Sequence, residues 1–342
     1  FWTAGLVSAF GSAVPVVSLT ESLRILAVVM MYIVLEQLIT SRKAMLNLLL
    51  AVYASTLFPL GYTAATFLMG NPPSEVKGSF TRISGTLGQA TAFGRYLSYV
   101  IVFGVAILPY LNKRLKRAMI VILALSSVFL LLTLTRGALI ATIVGVVVVS
   151  VMQRNKRVLI SLAIAGVLAA FLVPGLASRF AVVSDTSQAA GAAPTGNTLL
   201  WRLGYWAQVL PLANQNPVTG IGLAMTQYKT DAAKQPHNDF IRSYVETGIL
   251  GFVTYVTWLI ALLALGRRAA KRAPPKSMER AIAVGYFGCA VAFVLESVGA
   301  NVMSNVVCVW YLIAFAGAAA YISRTYDPAR RSVAQPELST TH

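Results

Sequence analysis

The chain has 342 residues, 57% hydrophobic and 11% charged, and its 28 Lys and Arg against 11 Asp and Glu give a formal net charge of +17. Soluble domains carry about a quarter charged residues, so this composition excludes an ordinary soluble fold and points to an all-α polytopic membrane protein. The positive charge does not point to nucleic acid either: most of the Lys and Arg fall in short connections between apolar segments, the pattern of cytoplasmic loops.

A spanning helix needs about 20 apolar residues. Such segments are expected near 23–40, 44–69, 90–110, 118–134, 137–152, 158–176, 244–265, 281–299 and 304–322. The chain opens at Phe1 directly in apolar sequence, which reads as a truncated N-terminus, and residues 1–17 read as the end of an earlier span. About nine to ten spanning helices are therefore expected. The basic clusters Arg42-Lys43, Lys113 to Arg117, Arg154 to Arg157, Arg267 to Arg280 and the tail from Arg324 all fall on one side with this set of spans. The division that follows is 1–176, an N-terminal group of spans; 177–243, an outer loop; 244–322, a C-terminal group; and 323–342, a cytoplasmic tail.

Residues 118–152 form one apolar run. As a single helix it would be roughly 52 Å long against a hydrocarbon core of about 30 Å, so it must fold back on itself. Thr135-Arg136-Gly137 is the polar, helix-weakening place for that turn, which puts Arg136 at the outer surface. Two polar segments remain on that side, 70–89 and 177–243. The second is far longer than an ordinary connector. Ser184 to Asn197 is rich in Ala, Gly, Ser and Thr, whereas Leu199 to Leu212 has the pattern of an amphipathic helix on or near the membrane.

The outer side carries cations against the usual bias: Arg82, Arg95, Arg136, Arg179, Arg202 and Arg242. Arg242 has Asp239 at i−3 and Glu246 at i+4, a ready salt-bridge ladder. Arg95, Arg136 and Arg202 lack a comparable local carboxylate, and guanidinium groups match phosphate oxygens in paired hydrogen bonds, so these three suit a diphosphate. Lipid headgroups reached by snorkelling are the plainer alternative.

Besides the terminal His342, the only histidine is His237, at the border between the long polar segment and a span. It is either a general base, since imidazole titrates near neutral pH, or only an N-terminal helix cap or an anchor at the membrane interface. Asp185 and Asp231 are isolated and give no support for a divalent metal, and no carboxylate spacing fits glycoside hydrolysis. Gly220-Ile221-Gly222 reads, with Pro217, as a turn. Cys289 and Cys308 lie in apolar segments, away from disulfide or zinc chemistry. A transporter would instead show paired intramembrane acids, for which Glu36 and Glu296 are the candidates.

Several pieces of the chain, in order, resemble the bacterial O-antigen ligase and polymerase family. They are Ser84 to Leu97; Thr133-Leu134-Thr135-Arg136-Gly137-Ala138; Arg202 and Trp206 followed by Asn216-Pro217-Val218-Thr219-Gly220-Ile221-Gly222; His237-Asn238-Asp239-Phe240-Ile241; and Glu246 to Gly251. Gln89-Ala90-Thr91 departs from the pattern, since many relatives carry Asn-Pro there. The resemblance implies a C-type glycosyltransferase-like fold in the bacterial inner membrane, with the active site facing the periplasm. It implies inverting, metal-independent transfer without a cofactor, from an undecaprenyl-diphosphate-linked glycan to a sugar of the lipid A–core, in contact with membrane lipid. Carried onto this chain, Arg136 and Arg202 hold the donor diphosphate, Arg95 is the third ligand and His237 is the catalytic base. The same motifs serve O-antigen and exopolysaccharide polymerases and protein O-oligosaccharyltransferases; the single compact outer loop favours a ligase.

Overall fold

The computed structural model describes residues 1–77, 80–172 and 199–328. Arg179, Asp185, the stretch 184–197, His342 and most of the 323–342 tail lie outside the described residues. Among the described residues the chain is all-α apart from one hairpin, and seven helical segments are long and apolar enough to cross a membrane.

The helices are α1 (Trp2–Ala9), α2 (Pro15–Leu38), α3 (Arg42–Ser55), α4 (Leu57–Leu68), α5 (Ala90–Ile107), α6 (Lys113–Leu132), α7 (Arg136–Met152), α8 (Lys156–Leu172), α9 (Leu199–Val209), α10 (Asp239–Arg272), α11 (Met278–Gly299) and α12 (Val306–Thr325). An antiparallel hairpin, β1 (Ser74–Lys77) and β2 (Phe80–Ile83), sits between α4 and α5. No apolar periodicity in 70–89 pointed to it.

Four boundaries differ from the sequence expectation. Residues 1–17 divide into the eight-residue α1 and the start of α2, which begins at Pro15 and not near 23. Glu21, left outside the expected span, lies inside α2 and pairs with Arg24 and Arg242. The expected span 44–69 is interrupted at the buried Thr56, whose Oγ1 donates to the Tyr53 carbonyl at 2.7 Å. The 118–152 run does fold back, but its break is Thr133-Leu134-Thr135, with Leu134 at φ 48°, and Arg136 is already the first residue of α7. The expected 244–265 span is the 34-residue α10, bent at Gly248, where φ is 64°.

The middle of the bundle is α5, α11 and α12, whose apolar windows are 72–78% buried; α2, α6 and α10 are each 28% buried and face outward. α7 crosses α11 where Gly145 meets Gly288. A methyl group on Gly145 would lie 3.2 Å from the Gly288 carbonyl oxygen, and one on Gly288 3.1 Å from that of Gly145. Small residues at such crossings let helix backbones approach closely inside a membrane. Cys289 and Cys308 are buried and free in this core.

The connections gather at two ends. One end carries the ion pairs Arg42–Glu279, Arg272–Asp327 and Arg324–Glu36. At the other meet the start of α2, the β-hairpin, the α6–α7 turn, α9, the start of α10 and the α11–α12 turn.

Candidate active site

The second end is built around His237. The residue is half-buried and its backbone lies in the left-handed region at φ 54°, a conformation that costs free energy in a non-glycine residue unless its surroundings fix it. They do so on both flanks. Trp206 Nε1 on α9 donates to the Pro236 carbonyl at 2.7 Å, and the Asn238 amide donates to Asn301 Oδ1 at 3.1 Å. Asn301 Nδ2 in turn donates to Gln235 Oε1 at 2.9 Å. His237 is not the cap of α10: that is Asn238, whose Oδ1 accepts from the Phe240 and Ile241 amides. The capping alternative for His237 therefore falls.

The ladder expected on Arg242 is only half formed. Its Nε meets Glu246 Oε2 at 2.9 Å, and its Nη2 meets Glu21 Oε1 of α2, also at 2.9 Å. Asp239 turns elsewhere and accepts the Val302 and Met303 amides at 2.7 and 3.1 Å. These buried groups lock the first two turns of α10 to α2 and to the α11–α12 turn. Asp239 and Asn301 thus join opposite flanks of the loop that carries His237.

Glu246 has a second task. Its carboxylate accepts the Ala224 amide at 2.8 Å and the Thr226 hydroxyl at 2.8 Å. The Ile221 and Gly222 amides donate to the carbonyls of Val245 and Glu246, and the Ile249 amide donates to that of Pro217. Main chain thus lies directly on main chain. A methyl group on Gly220 would stand 2.3 Å from the Glu246 carbonyl carbon, and one on Gly248 2.2 Å from the Val218 carbonyl oxygen. Gly220 and Gly248 both have positive φ as well. The turn read at Gly220-Ile221-Gly222 is therefore a docking strip for α10.

α9 begins at Leu199 as expected, but its inner face packs on protein: Tyr205, Val209 and Ala213 form a small core with Ile221, Met225 and Val245. This orientation turns Arg202 toward the bundle, where its Nη1 donates to the Gly299 carbonyl at the end of α11 at 2.8 Å, while its Nε is buried without a partner.

Arg95 of α5, Arg136 of α7 and Arg202 of α9 line one small cavity of ≈ 140 Å³, together with Arg82 of β2, Thr91, Thr135 and Glu296; the charge of Arg82 is already shared with Glu75. Burial, reinforced by the charges of Arg136 and Arg95, lowers the pKa of Arg202 from its ordinary value. Guanidinium groups remain protonated under such shifts, so the cavity concentrates positive charge. The α7 N-terminus also opens here, with Gly137 and Ala138 in the wall, and first-turn amides favour anions.

A larger cavity of ≈ 530 Å³ adjoins it and is lined by His237, Gln235, Lys234, Arg24, Asn301 and Ser304; Thr91 and Arg95 belong to both walls. The structure therefore brings the three arginines together and sets His237 in the neighbouring space.

Three contributors were missed in the sequence. Arg82 stood there only as an outer cation, yet it is 1% exposed and splints the α6–α7 turn. Its Nε donates to the Thr133 carbonyl at 2.8 Å, its Nη2 to Thr135 Oγ1 at 2.7 Å, and its Nη1 to Glu75 Oε1 at 3.0 Å. Arg24 was not singled out, nor was Lys234, which lies over the Trp201 ring at 5.0 Å. Glu296 and Glu36 do not form the pair a transporter would need: Glu36 bonds Arg324 at the opposite end, and Glu296 accepts from Tyr99.

Residues 121–256 match the family model described as O-antigen ligase. This stretch is an O-antigen ligase family domain. It contains Arg136, Arg202 and His237, whereas Arg95, Glu296 and Asn301 lie outside it. No curated protein matches the chain. The O-antigen ligase family domain and the seven apolar helices make this a multi-pass membrane protein with a glycosyltransferase-like ligase or polymerase activity.

Proposed function

We propose that this protein is an O-antigen ligase of the bacterial inner membrane, transferring a glycan from undecaprenyl diphosphate to a sugar of the lipid A–core on the periplasmic side. The observation that carries the reading is the pair of adjoining cavities: Arg95, Arg136 and Arg202 from three helices, with Arg82 from the hairpin, line the smaller one, and His237 lines the larger one, with Arg95 and Thr91 in common. Basic loops gathered at the far end support the periplasmic orientation through the positive-inside bias.

The diphosphate of the donor sits among Arg95, Arg136 and Arg202 in this reading, and the glycan extends into the larger cavity beside the acceptor. His237 accepts the proton of the acceptor hydroxyl as its oxygen bonds to the anomeric carbon. The bond from that carbon to the diphosphate breaks, and the oxygen left on phosphorus keeps the electron pair. A single displacement of this kind inverts the anomeric configuration. Fixed guanidinium groups stabilise the charge that develops on the leaving diphosphate, the role a divalent cation plays elsewhere. Activity is therefore expected to survive EDTA, and loss on chelation with restoration by a divalent metal would refute that part of the reading.

The deciding experiment is His237→Ala in a reconstituted assay with lipid-linked donor and lipid A–core acceptor. Transfer should be abolished while donor binding persists; near-normal transfer would sink the assignment of the base. Replacing the core acceptor with a second donor glycan separates the ligase from a polymerase of the same family.

A further inference from the structure

An acid inside an anion site needs a reason. Glu296 is 3% exposed and lines the arginine cavity. Its Oε2 accepts the Tyr99 hydroxyl at 3.0 Å, while its Oε1 is buried without a hydrogen-bond partner. None of the salt bridges among the described residues involves it, whereas Arg82 in the same wall is paired with Glu75. A carboxylate that served only the packing of α11 would not leave a buried oxygen unpartnered beside Arg95, Arg136 and Arg202, since an unsatisfied buried acceptor is costly.

The charge balance of the transfer supplies a role. A lipid-diphosphate-glycan is a diester with two ionised phosphates, whereas the released lipid diphosphate has a third ionisable oxygen where the sugar was. The arginines of the wall alone, even with Arg82 paired to Glu75, would hold that product more tightly than the donor, and an enzyme that binds its product best turns over slowly. A fixed negative charge in the same cavity offsets one guanidinium and shifts the preference back.

We propose that Glu296 is a charge-setting residue of the diphosphate cavity, one that weakens the grip on the released diphosphate and so speeds its departure. This rests on the assignment of that cavity to the donor diphosphate. Glu296 acts in it on product release and leaves the bond-making step to His237.

The test measures binding of inorganic pyrophosphate to the full chain in lipid nanodiscs, together with steady-state transfer. Glu296→Gln keeps the shape and can still accept from Tyr99, but it removes the charge. Pyrophosphate should bind it about tenfold tighter, because a unit charge at cavity range is worth at least that much at an intermediate dielectric. Its kcat and KM should both fall. Glu296→Asp, which retains the charge, should bind pyrophosphate within about threefold of the parent. If Glu296→Gln does not fold, Glu296→Ser removes the same charge and is expected to tighten binding likewise. Equal or weaker pyrophosphate binding by the uncharged variant overturns the proposal. Arg202→Ala, measured in parallel, separates the two levels: if it leaves pyrophosphate binding unchanged, the diphosphate assignment itself is wrong. If Arg202→Ala weakens binding and Glu296→Gln does not tighten it, only the role of Glu296 is lost.

Discussion

The two ends of the bundle use arginine in opposite ways. At the basic end, Arg42, Arg272 and Arg324 keep 59%, 31% and 35% of their side chains exposed, and each bridges to an acid, Arg42 to the buried Glu279 and the other two to partly exposed carboxylates. At the other end Arg82 and Arg242 are 1% and 6% exposed, and Arg95, Arg136 and Arg202 face a cavity. Exposed pairs contribute little because water and salt screen them. Buried guanidinium groups are costly to assemble and become worthwhile where an anion arrives to share them. The contrast separates a charge pattern that orients a protein in a membrane from one that handles a substrate.

Substitutions at the two ends should therefore differ in size. The largest effect is expected for His237→Ala, with transfer lower by about 10²–10⁴-fold, the usual contribution of a general base, and with donor binding retained. Arg136→Ala and Arg202→Ala should weaken donor binding by about 10–100-fold, as expected for lost charge-assisted hydrogen bonds. Acceptor affinity should change far less, and unchanged donor affinity in both variants would erase the distinction between the ends. Arg82→Gln removes the splint on the α6–α7 turn and also takes one guanidinium out of the cavity wall. A loss of donor affinity of about tenfold is expected, from misplacement of Arg136 and the lost charge, together with a lower melting temperature. Arg42→Gln, at the basic end, should alter stability by less than about 1 kcal/mol and leave transfer unchanged. A large loss of transfer there would show that the basic end does more than orient the chain.

Much of this was legible in the sequence because a bilayer leaves few options. Hydropathy and basic clusters were enough to place most spans, and the excess of outer cations singled out Arg95, Arg136 and Arg202. What stayed hidden was the pairing of polar groups distant in the chain. Glu21 pairs with Arg242, 221 positions away, and Asn301 accepts from the Asn238 amide across 63. A local pattern cannot show either partner, so Glu21 drew no notice in the sequence. Asp239 illustrates the converse: helical spacing made it a partner of Arg242, but the two orphan amides at Val302 and Met303 are the stronger claim on a buried carboxylate. Arg82 was misjudged because its acceptors include a main-chain carbonyl, which no side-chain pattern reports.

The seam between 217–222 and 245–249 has a consequence for how this domain tolerates change. Its contacts run between peptide groups, so the exposed side chain at Val218 can vary while the seam persists, whereas Ile221 is also held in the small core beneath α9. Gly220 and Gly248 cannot vary, because at each a single methyl group would occupy space already filled by backbone. The stretch from 223 to 238 is held at its base by that seam and by Glu246, and at its far end by Trp206 and Asn301. Change is therefore best tolerated at its exposed rim, at Tyr228, Lys229, Asp231 and Ala233, where it leaves the clamps on His237 in place.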